Sequence, residues 1–344
     1  MPQELVLVTG GSGFIALHII LQLLQKGYAV RTTIRSASRQ AQIRSALTNN
    51  GVTNTDDLDV VSADLMKDEG WGEAAKGCRY VLHVASPFPL SVPKDPNELI
   101  LPAREGTLRV LRAAKSAGVK RVVVTSSFAA IGYGESQPGH ILTEKDWTPA
   151  DDTSVGAYQR SKTIAERAAW KFVKDEGHPF ELATVNPVAV TGPVLDPTSR
   201  ISTSLEVVQK MLSGQAPLLP HMQLGIVDVR DVADLHLRAM TDPKANGERF
   251  LCISGQPLWM KEIAVILKQR LGKKAWWVGT RELPSFVLRA GAYLSSTMAL
   301  IASELDKEKL ASSQKAMDVL GWQPMSQEDT VEATAKSLIE HKLV

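Results

Sequence analysis

The chain has 344 residues, of which 44% are hydrophobic and 22% are charged, as in ordinary globular proteins. Its 39 Lys and Arg side chains nearly balance 37 Asp and Glu, giving a formal net charge of +2. That balance argues against nucleic acid or an anionic membrane as a partner. The length is enough for one large α/β domain with a smaller lobe.

Short apolar runs rich in β-branched residues alternate with helical patterns through the first half of the chain. Continuous apolar strands alternating with helices are typical of a parallel sheet covered on both faces. We therefore predict an α/β fold with a doubly wound parallel sheet, the Rossmann architecture. Strands are predicted at 4–9, 28–35, 58–64, 79–86, 120–127 and 180–187, and helices at 13–26, 36–48, 97–117 and 157–176.

The second half changes character and indicates a smaller lobe. Residues 1–190 are predicted to form the cofactor domain, to which 225–254 return as a strand, a helix and a strand. The segment 191–224, rich in Pro, Gly, Ser and Thr, and the mostly helical 255–344 are predicted to form the substrate lobe.

Several apolar features are expected to be structural. The segment 283–305 contains charged residues and is interpreted as one or two packed helices rather than a membrane span. Trp276, Trp277 and Trp322 are expected to pack the helical lobe.

The cysteines and the first residues favour a cytoplasmic location. Cys78 and Cys252 are the only cysteines, and both lie in apolar surroundings. Two buried thiols fit a reducing compartment better than a disulfide framework. The N-terminus runs straight into a strand-like segment without the pattern of a signal peptide.

The turn between the first strand and helix has the spacing Gly-x-x-Gly-x-x-Ala in residues 10–16. Glycines there allow a tight turn and close approach of a pyrophosphate, and the following helix N-terminus offers free N–H groups. A tight strand-to-helix connection alone would also explain the glycines. The position favours phosphate binding, with these contacts predicted: Thr9, Gly10, Gly13, Phe14 and Ile15.

The end of the second strand indicates NADP(H). NAD-binding folds usually place an acid there, yet no Asp or Glu occurs in 28–54, and Arg35 follows the strand. A guanidinium binds a 2′-phosphate in a forked geometry, so Arg35 is the main candidate and Arg39 a weaker one. The alternative is that both arginines are simply solvated. Asp64, followed by Leu65, is placed either to accept from the adenine amino group or to cap a helix.

Tyr158 and Lys162 are predicted to carry the proton chemistry. They lie at i and i+4 on one helical face, downstream of Ser126 and Ser127 at the carboxyl end of the fifth strand. A nearby ammonium is expected to lower the pKa of the phenol from its usual value of about 10. Ser127 is predicted to orient the substrate oxygen, and polar capping of the strand end is the alternative for one of the two serines.

These motifs resemble the extended short-chain dehydrogenases/reductases, in particular the branch of dihydroflavonol reductases, cinnamoyl-CoA reductases and microbial aldehyde reductases. The resemblance covers nearly the whole chain and thins after about residue 255. It rests on the turn at 9–16, on Ser127 and on Tyr158-x-x-x-Lys162, together with VRTTIRS (30–36), HVASPF (83–88), VVVTSSFAAI (122–131), YQRSKTIAERAAW (158–170), TVNPVAVTGP (184–193) and VDVRDVADLHLRAM (227–240).

The resemblance implies a Ser–Tyr–Lys set that reduces a carbonyl with NADPH, Tyr158 donating the proton. It also implies cofactor contacts: Lys162 with the nicotinamide ribose, Pro187 and Val188 beside the nicotinamide, the backbone up to Val190 at its carboxamide, and Ala85 near the ribose and phosphates. Two departures stand out. Ala16 replaces the third glycine of the turn, and Gln42 lies near the place where some plant members carry a second basic residue.

The substrate pocket is placed by similarity between the carboxyl edge of the sheet and the lobe. Its candidate residues are Ser86, Phe88, Met222 and Gln223, with Ser127 and Tyr158. Most neighbouring positions are apolar, and 191–224 has no cationic cluster for a sugar diphosphate. The expected substrate is therefore an uncharged ketone or aldehyde, while simple core packing is the alternative for each pocket residue.

Other partners and functions are weighed against this one. Asp228, Asp231 and Asp234 fit a strand end, a helix cap and a solvated face better than a metal site, so no metal is expected. The helices at 97–117 and 157–176 are candidates for a homodimer interface. The rival functions are an NAD-dependent nucleotide-sugar epimerase or dehydratase and a non-catalytic NADP(H)-binding regulator.

Overall fold

The computed structural model describes residues 3–53, 55–87, 95–134, 137–199, 201–293 and 296–344. The strands in chain order are β1 (Leu5–Val8), β2 (Ala29–Ile34), β3 (Leu58–Ser62), β4 (Tyr80–His83), β5 (Arg121–Thr125), β6 (Ile141–Leu142), β7 (Glu181–Pro187), β8 (Ala189–Thr191), β9 (Leu218–Pro220), β10 (Gln223–Leu224), β11 (Ile226–Asp228), β12 (Glu248–Cys252), β13 (Leu258–Trp259), β14 (Arg281–Leu283) and β15 (Leu310–Ala311).

The helices follow the same order, with 3₁₀ turns at Phe128–Ala130, Pro243–Ala245 and Gly272–Ala275. They are α1 (Phe14–Gln25), α2 (Arg39–Asn49), α3 (Trp71–Ala75), α4 (Asn97–Ser116), α5 (Ala157–Asp175), α6 (Thr203–Leu212), α7 (Val229–Thr241), α8 (Met260–Leu271), α9 (Ser285–Gly291), α10 (Ser296–Ala302), α11 (Gln314–Leu320) and α12 (Gln327–Glu340). No helix in these ranges has both the length and the apolar character needed to cross a lipid bilayer.

Seven of the described strands form one parallel sheet in the order β12-β7-β5-β4-β1-β2-β3. The chain runs from β1 out to β3, returns to β4 beside β1, and continues to the opposite edge. The predicted doubly wound sheet is confirmed, and β12 is the strand expected to return from 225–254. The reversal between β1 and β4 creates the crevice where ligands bind in such sheets.

Side chains along each strand point alternately to the two faces of the sheet, which explains why both faces are covered by helices. Val6 and Val8 point into the core beneath α1 and α7, and Leu7 points to the opposite core, beneath α4 and α5. Successive side chains on a strand face opposite sides, so a continuous apolar run requires helices on both. Burying each such side chain contributes about 1.5–3 kcal/mol.

The lobe has its own core, built by α6, α8 and α12 around side chains such as Met211, Ile263 and Leu338. The boundary differs from the sequence prediction, however. Helix α11 and Trp322 belong to the core of the sheet domain, where the Trp322 indole N–H donates to the Asp231 carbonyl over 3.0 Å.

Two expectations about apolar packing are wrong. Trp276 and Trp277 are 68% and 52% exposed, and Trp277 contacts the lobe through a hydrogen bond from its indole N–H to the Leu212 carbonyl rather than through burial. The segment 283–305 does form two helices, but Phe286 is 72% exposed and Tyr293, just after α9, is 93% exposed. Apolar residue type favours burial without requiring it, and long-range packing decides which apolar side chains are covered.

Candidate active site

A cleft of about 700 Å³ follows the carboxyl edge of the sheet and crosses the β1–β4 reversal. The turns after six neighbouring strands line it, and residues 201–204 of the lobe close one side. Most of the predicted site residues meet there: Gly10, Gly13, Phe14, Ile15, Arg35, Arg39, Asp64, Leu65, Ala85, Ser86, Ser127, Tyr158, Lys162, Pro187, Val188 and Val190.

The glycine turn forms an open cradle at the start of α1. Gly10 has φ +73°, and an added Cβ would lie 3.0 Å from the Cβ of Ala85. Gly13 precedes α1, and no side chain caps the helix N–H groups there. A Cβ on Gly13 would also come within 3.1 Å of the Gly10 carbonyl oxygen. The turn therefore excludes side chains and leaves backbone donors facing the cleft, as phosphate binding requires.

Thr9 lies behind the turn rather than in the cleft. Its fully buried hydroxyl oxygen accepts from the N–H groups of Val84 and Ala85, each over 3.0 Å, and lies 2.9 Å from His83 Nδ1. Burial, reinforced by the charge of Lys162, lowers the pKa of His83 to about 3, so its ring is neutral and accepts from Thr9. Thr9 thus shapes the loop that carries Ala85.

The end of β2 carries cations and no acid. Arg35 and Arg39 are exposed and line the cleft. Arg31 points elsewhere, pairing with Asp59 over 2.6 Å and donating to the Lys76 carbonyl. The two arginines named from the sequence are therefore the ones at the cleft.

Asp64 follows β3 and lines the same cleft. Its Oδ1 accepts from the N–H of Met66 over 3.0 Å, so it caps the local turn. The structure gives this residue the capping contact, and contact with adenine stays a prediction.

Ser127, Tyr158 and Lys162 come together in this cleft. The hydroxyls of Ser127 and Tyr158 share a hydrogen bond, and Ser127 Oγ also accepts from the N–H of Ala129 over 3.1 Å. Lys162 Nζ lies 5.8 Å from the centre of the Tyr158 ring and donates to Ser86 Oγ over 2.9 Å. Helix α5 places the phenol and the ammonium, and the end of β5 places the serine.

The pKa of Tyr158 differs from the sequence expectation. Burial raises it above the ordinary value, although the hydrogen bond with Ser127 opposes that effect. Burial also lowers the pKa of Lys162 to about 8, against the attraction of Glu166. The expected lowering of the Tyr158 pKa is therefore wrong for the protein alone, since loss of hydration outweighs the hydrogen bond with Ser127.

A buried carboxylate on α5, Glu166, was not predicted from the sequence. Glu166 is fully buried, and its oxygens accept from Ser126 Oγ over 2.5 Å, Asn186 Nδ2 over 2.7 Å and Arg249 Nε over 2.6 Å. It ties α5 to the ends of β5 and β7 and to β12. The available signal was its i+4 spacing from Lys162.

Other lining residues were also missed. Besides the flank 201–204, they are Ser12, Thr33, Ile34, Ala63, Met66, Trp71, Val84 and Thr125. Thr33 has a clear role, because its Oγ1 accepts from the N–H of Gly10 over 3.0 Å and holds the glycine turn. Ser202 caps α6, a signal present in the S-T-S-L-E run of residues 202–206.

Two of the predicted substrate residues do not line the cleft. Gln223 lies in β10 and accepts from the N–H of Lys309, and Met222 packs against the lobe core, so neither lines the cleft. Phe88 lies outside the described residues. In the part of the chain that the structure describes, no three His, Cys, Asp or Glu side chains gather as metal ligands; Asp228, for example, caps α7 and pairs with Arg230.

The fold and the site together define a dinucleotide-binding α/β protein with a Ser–Tyr–Lys set. The sequence profile of the NAD dependent epimerase/dehydratase family matches residues 6–252, from β1 to the last residue of β12. The chain belongs to that family, the extended short-chain dehydrogenases/reductases. The resemblance stated from the motifs is confirmed.

The relatives include several reductases. The chain is 36% identical over 272 residues to cinnamoyl-CoA reductase CAD2 of Medicago truncatula, covering 77% of this chain and 80% of that protein. It is 36% identical over 263 residues to a putative anthocyanidin reductase of Ginkgo biloba, with 72% and 75% coverage. Yeast methylglyoxal/isovaleraldehyde reductase Gre2, solved in complex with NADPH, superposes with a TM-score of 0.82 at 28% identity, covering 98% of this chain and 99% of Gre2.

Proposed function

We propose that the protein is an NADPH-dependent reductase that converts an uncharged ketone or aldehyde to an alcohol. The observation that carries the proposal is the meeting of Ser127, Tyr158 and Lys162 in one cleft with the glycine turn. The reductase relatives, including one solved with NADPH, support the same activity.

The residues of the cleft fit a dinucleotide with a 2′-phosphate. Gly10 and Gly13 leave the room and the uncapped helix N–H groups that a pyrophosphate needs. Arg35 and Arg39 supply cations where an NAD-selective site has an acid. By the family resemblance, Lys162 would move from Ser86 Oγ to the nicotinamide ribose.

The chain's own groups can supply the proton and stabilise the developing charge. When bound, the reduced nicotinamide supplies a hydride to the carbonyl carbon. The Tyr158 hydroxyl, protonated at neutral pH, donates its proton to the carbonyl oxygen, and Ser127 orients that oxygen by a hydrogen bond. The Lys162 ammonium stabilises the phenolate left on Tyr158. Hydride and proton together give the alcohol.

The charges around the cleft favour an uncharged substrate. Among the described lining residues the cationic side chains are Arg35, Arg39 and Lys162, all assigned to the cofactor or to catalysis. None is left over for the diphosphate of a nucleotide sugar. Uncharged side chains also line the cleft, among them the apolar Pro87, Val188 and Ile201.

Replacing Tyr158 with Phe tests the proposal. The variant should bind NADPH like the wild type, followed by quenching of tryptophan fluorescence, and lose about 10²–10⁴-fold in turnover. Turnover is followed by NADPH absorbance with a panel of ketones and aldehydes. Tyr28→Phe, remote from the cleft, is the matched control. Retained activity in Tyr158→Phe would remove Tyr158 as proton donor.

The same assay separates the rival functions. Tight NADPH binding without turnover of any carbonyl by the wild type would favour a regulator. Conversion of a nucleotide sugar with bound NAD would favour an epimerase or dehydratase.

A homodimer and a cytoplasmic location remain part of the proposal. Helices α4 and α5 pack side by side against the same core, and Leu101 on α4 is 45% exposed, which supports an interface there. The free, buried thiols of Cys78 and Cys252 are compatible with a reducing compartment.

A further inference from the structure

A continuous chain of hydrogen bonds joins Arg39, at the cleft, to the carboxylate of Asp196 in the loop before α6. Arg39 Nη1 lies 2.7 Å from Gln42 Oε1, and Gln42 Nε2 lies 2.5 Å from Thr198 Oγ1 and 3.4 Å from Ser199 Oγ. The two hydroxyls lie 2.6 and 2.5 Å from the carboxylate oxygens of Asp196. Gln42 itself does not line the cleft.

The groups at the two ends of this series of hydrogen bonds determine which atom donates and which accepts in each bond between them. A guanidinium only donates and a carboxylate only accepts. The Gln42 carbonyl must therefore face Arg39, and its NH₂ must face the hydroxyls. Both hydroxyls accept from Gln42 and donate onward to Asp196. The Gln42 amide is thus held in one orientation, with its acceptor directed at Arg39.

The carboxylate of Asp196, at the end of this series of hydrogen bonds, is buried. Asp196 is only 7% exposed and also accepts from the N–H of Thr198. Burial opposes its ionisation, but the hydrogen bonds from Ser199 and Thr198 outweigh burial and lower the pKa of Asp196. The carboxylate is therefore negative at neutral pH and can polarise the bonds that lead to Gln42.

These hydrogen bonds restrict the side chain of Arg39 before any ligand binds. An exposed arginine loses about 2 kcal/mol of rotamer freedom when it is fixed on a ligand. Gln42, three residues further along α2, occupies one of the five guanidinium donors and leaves the others for an anion. A side chain that is already held binds more tightly because less freedom is lost on binding.

We propose that Gln42 is a positioning residue for cofactor selectivity: it holds Arg39 at the 2′-phosphate subsite and is itself held by Thr198, Ser199 and Asp196. The inference rests on the proposed use of NADPH. It gives a role to the position where the sequence lacks a second basic residue. It also makes the loop 196–199, whose residues do not line the cleft, part of the selectivity for NADPH over NADH.

The test measures binding of two cofactor fragments, 2′,5′-ADP and 5′-AMP, by calorimetry, so it does not depend on turnover. The wild type should bind 2′,5′-ADP more tightly than 5′-AMP. Gln42→Ala should weaken 2′,5′-ADP about fivefold, the effect of one lost hydrogen bond, and leave 5′-AMP within about twofold. The double variant Thr198→Val/Ser199→Ala should change binding in the same direction by a smaller factor.

Two further variants separate positioning of Arg39 from simple anchoring of the loop. Asn50→Ala also releases the loop, because Asn50 Nδ2 lies 3.3 Å from the Leu195 carbonyl oxygen, but Asn50 makes no contact with Arg39. Asn50→Ala should leave both affinities unchanged. In an Arg39→Ala background, Gln42→Ala should have no further effect on 2′,5′-ADP.

The outcomes distinguish the inference from the function on which it rests. A wild type that binds both fragments equally would refute the NADPH preference and the positioning role with it. A wild type that discriminates, with Gln42→Ala unchanged, would overturn the positioning role alone. Equal weakening of both fragments by Gln42→Ala, or an equal effect of Asn50→Ala, would show a general structural role and overturn the inference as well.

Discussion

Burial shifts the pKa values of Tyr158 and Lys162, the two ionisable groups proposed for catalysis, in opposite directions. It raises the pKa of Tyr158 and lowers that of Lys162 to about 8, because both neutral forms are favoured where water is excluded. For a reduction this combination is useful. Tyr158 keeps the proton that the proposed mechanism has it donate, while Lys162 still carries most of its charge at pH 7.

The rate of carbonyl reduction should therefore decline on the alkaline side. Lys162 is cationic below about pH 8 and loses its charge as the pH rises through that value, so kcat/KM should fall there. The measurement is a pH profile of kcat/KM at saturating NADPH. Lys162→Arg keeps a cation at every accessible pH, and its weaker activity should lack this limb. An identical limb in Lys162→Arg would assign it to another group.

Arg35 should determine much of the cofactor preference. Arg35→Ala is expected to raise the KM for NADPH about tenfold or more, because a charge-assisted pair with the 2′-phosphate is lost, and to leave NADH nearly unchanged. Steady-state kinetics with both cofactors measure the effect. Arg104→Ala, on α4, is a control for the loss of one positive charge. Equal changes for the two cofactors would show that Arg35 does not bind the 2′-phosphate.

Individual site residues were predictable where the signal is local. The glycine turn and the Tyr158–Lys162 pair are each encoded within a few neighbouring positions, and the structure places both at the cleft. Glu166 was missed because its partners lie up to 83 positions away, at Arg249, and only the folded sheet brings them together. The pKa of Tyr158 was misjudged for a related reason, since burial is set by the whole fold.

At the level of elements, one buried ion pair joins α5 to the far edge of the sheet. Glu166 and Arg249 are 0% and 8% exposed, and the guanidinium also stacks 3.6 Å from the centre of the Trp147 ring. Removing one partner leaves an uncompensated buried charge, which costs far more than the pair contributes as a unit.

Glu166→Leu should therefore lower the free energy of unfolding by about 3–5 kcal/mol, measured by urea denaturation. The double variant Glu166→Leu/Arg249→Met should recover much of that loss, because neither charge is then left buried alone. A double variant no more stable than Glu166→Leu would show that the polar contacts to Ser126 and Asn186 matter more than the ion pair.

Elements themselves were predictable where their hydrophobic period is clear. Helices α1, α4 and α5 and the strands of the main sheet end within three residues of their predicted bounds. The exposed tryptophans and the placement of α11 were not predictable, since periodicity shows that a segment has an apolar face and not what covers it. Trp322 packs beneath α7, which precedes it by about ninety residues.

Across the whole molecule, three histidines are buried in neutral form. Burial lowers the pKa of His18 to about 4, that of His83 to about 3 and that of His236 to about 4. The unfolded chain takes up these protons near pH 6.5, but the folded chain does not. Asp231 acts in the opposite sense, because burial raises its pKa to about 6 and the folded chain then holds a proton that the unfolded chain lacks.

The protein should consequently lose stability as the pH falls from about 6.5 towards 4. The unfolded state binds more protons over that window, so the free energy of unfolding decreases as the pH falls. Each histidine accounts for roughly 3 kcal/mol of this decrease, and Asp231 offsets about one such contribution. Tm measured by calorimetry between pH 7 and 4.5 follows the change. His236→Gln can keep the contacts with Thr125 and the Val232 carbonyl without titrating, so its Tm should fall less steeply. His178 is exposed, so His178→Gln should keep the wild-type slope of Tm against pH. Equal slopes in the wild type, His236→Gln and His178→Gln would show that His236 does not cause the acid sensitivity.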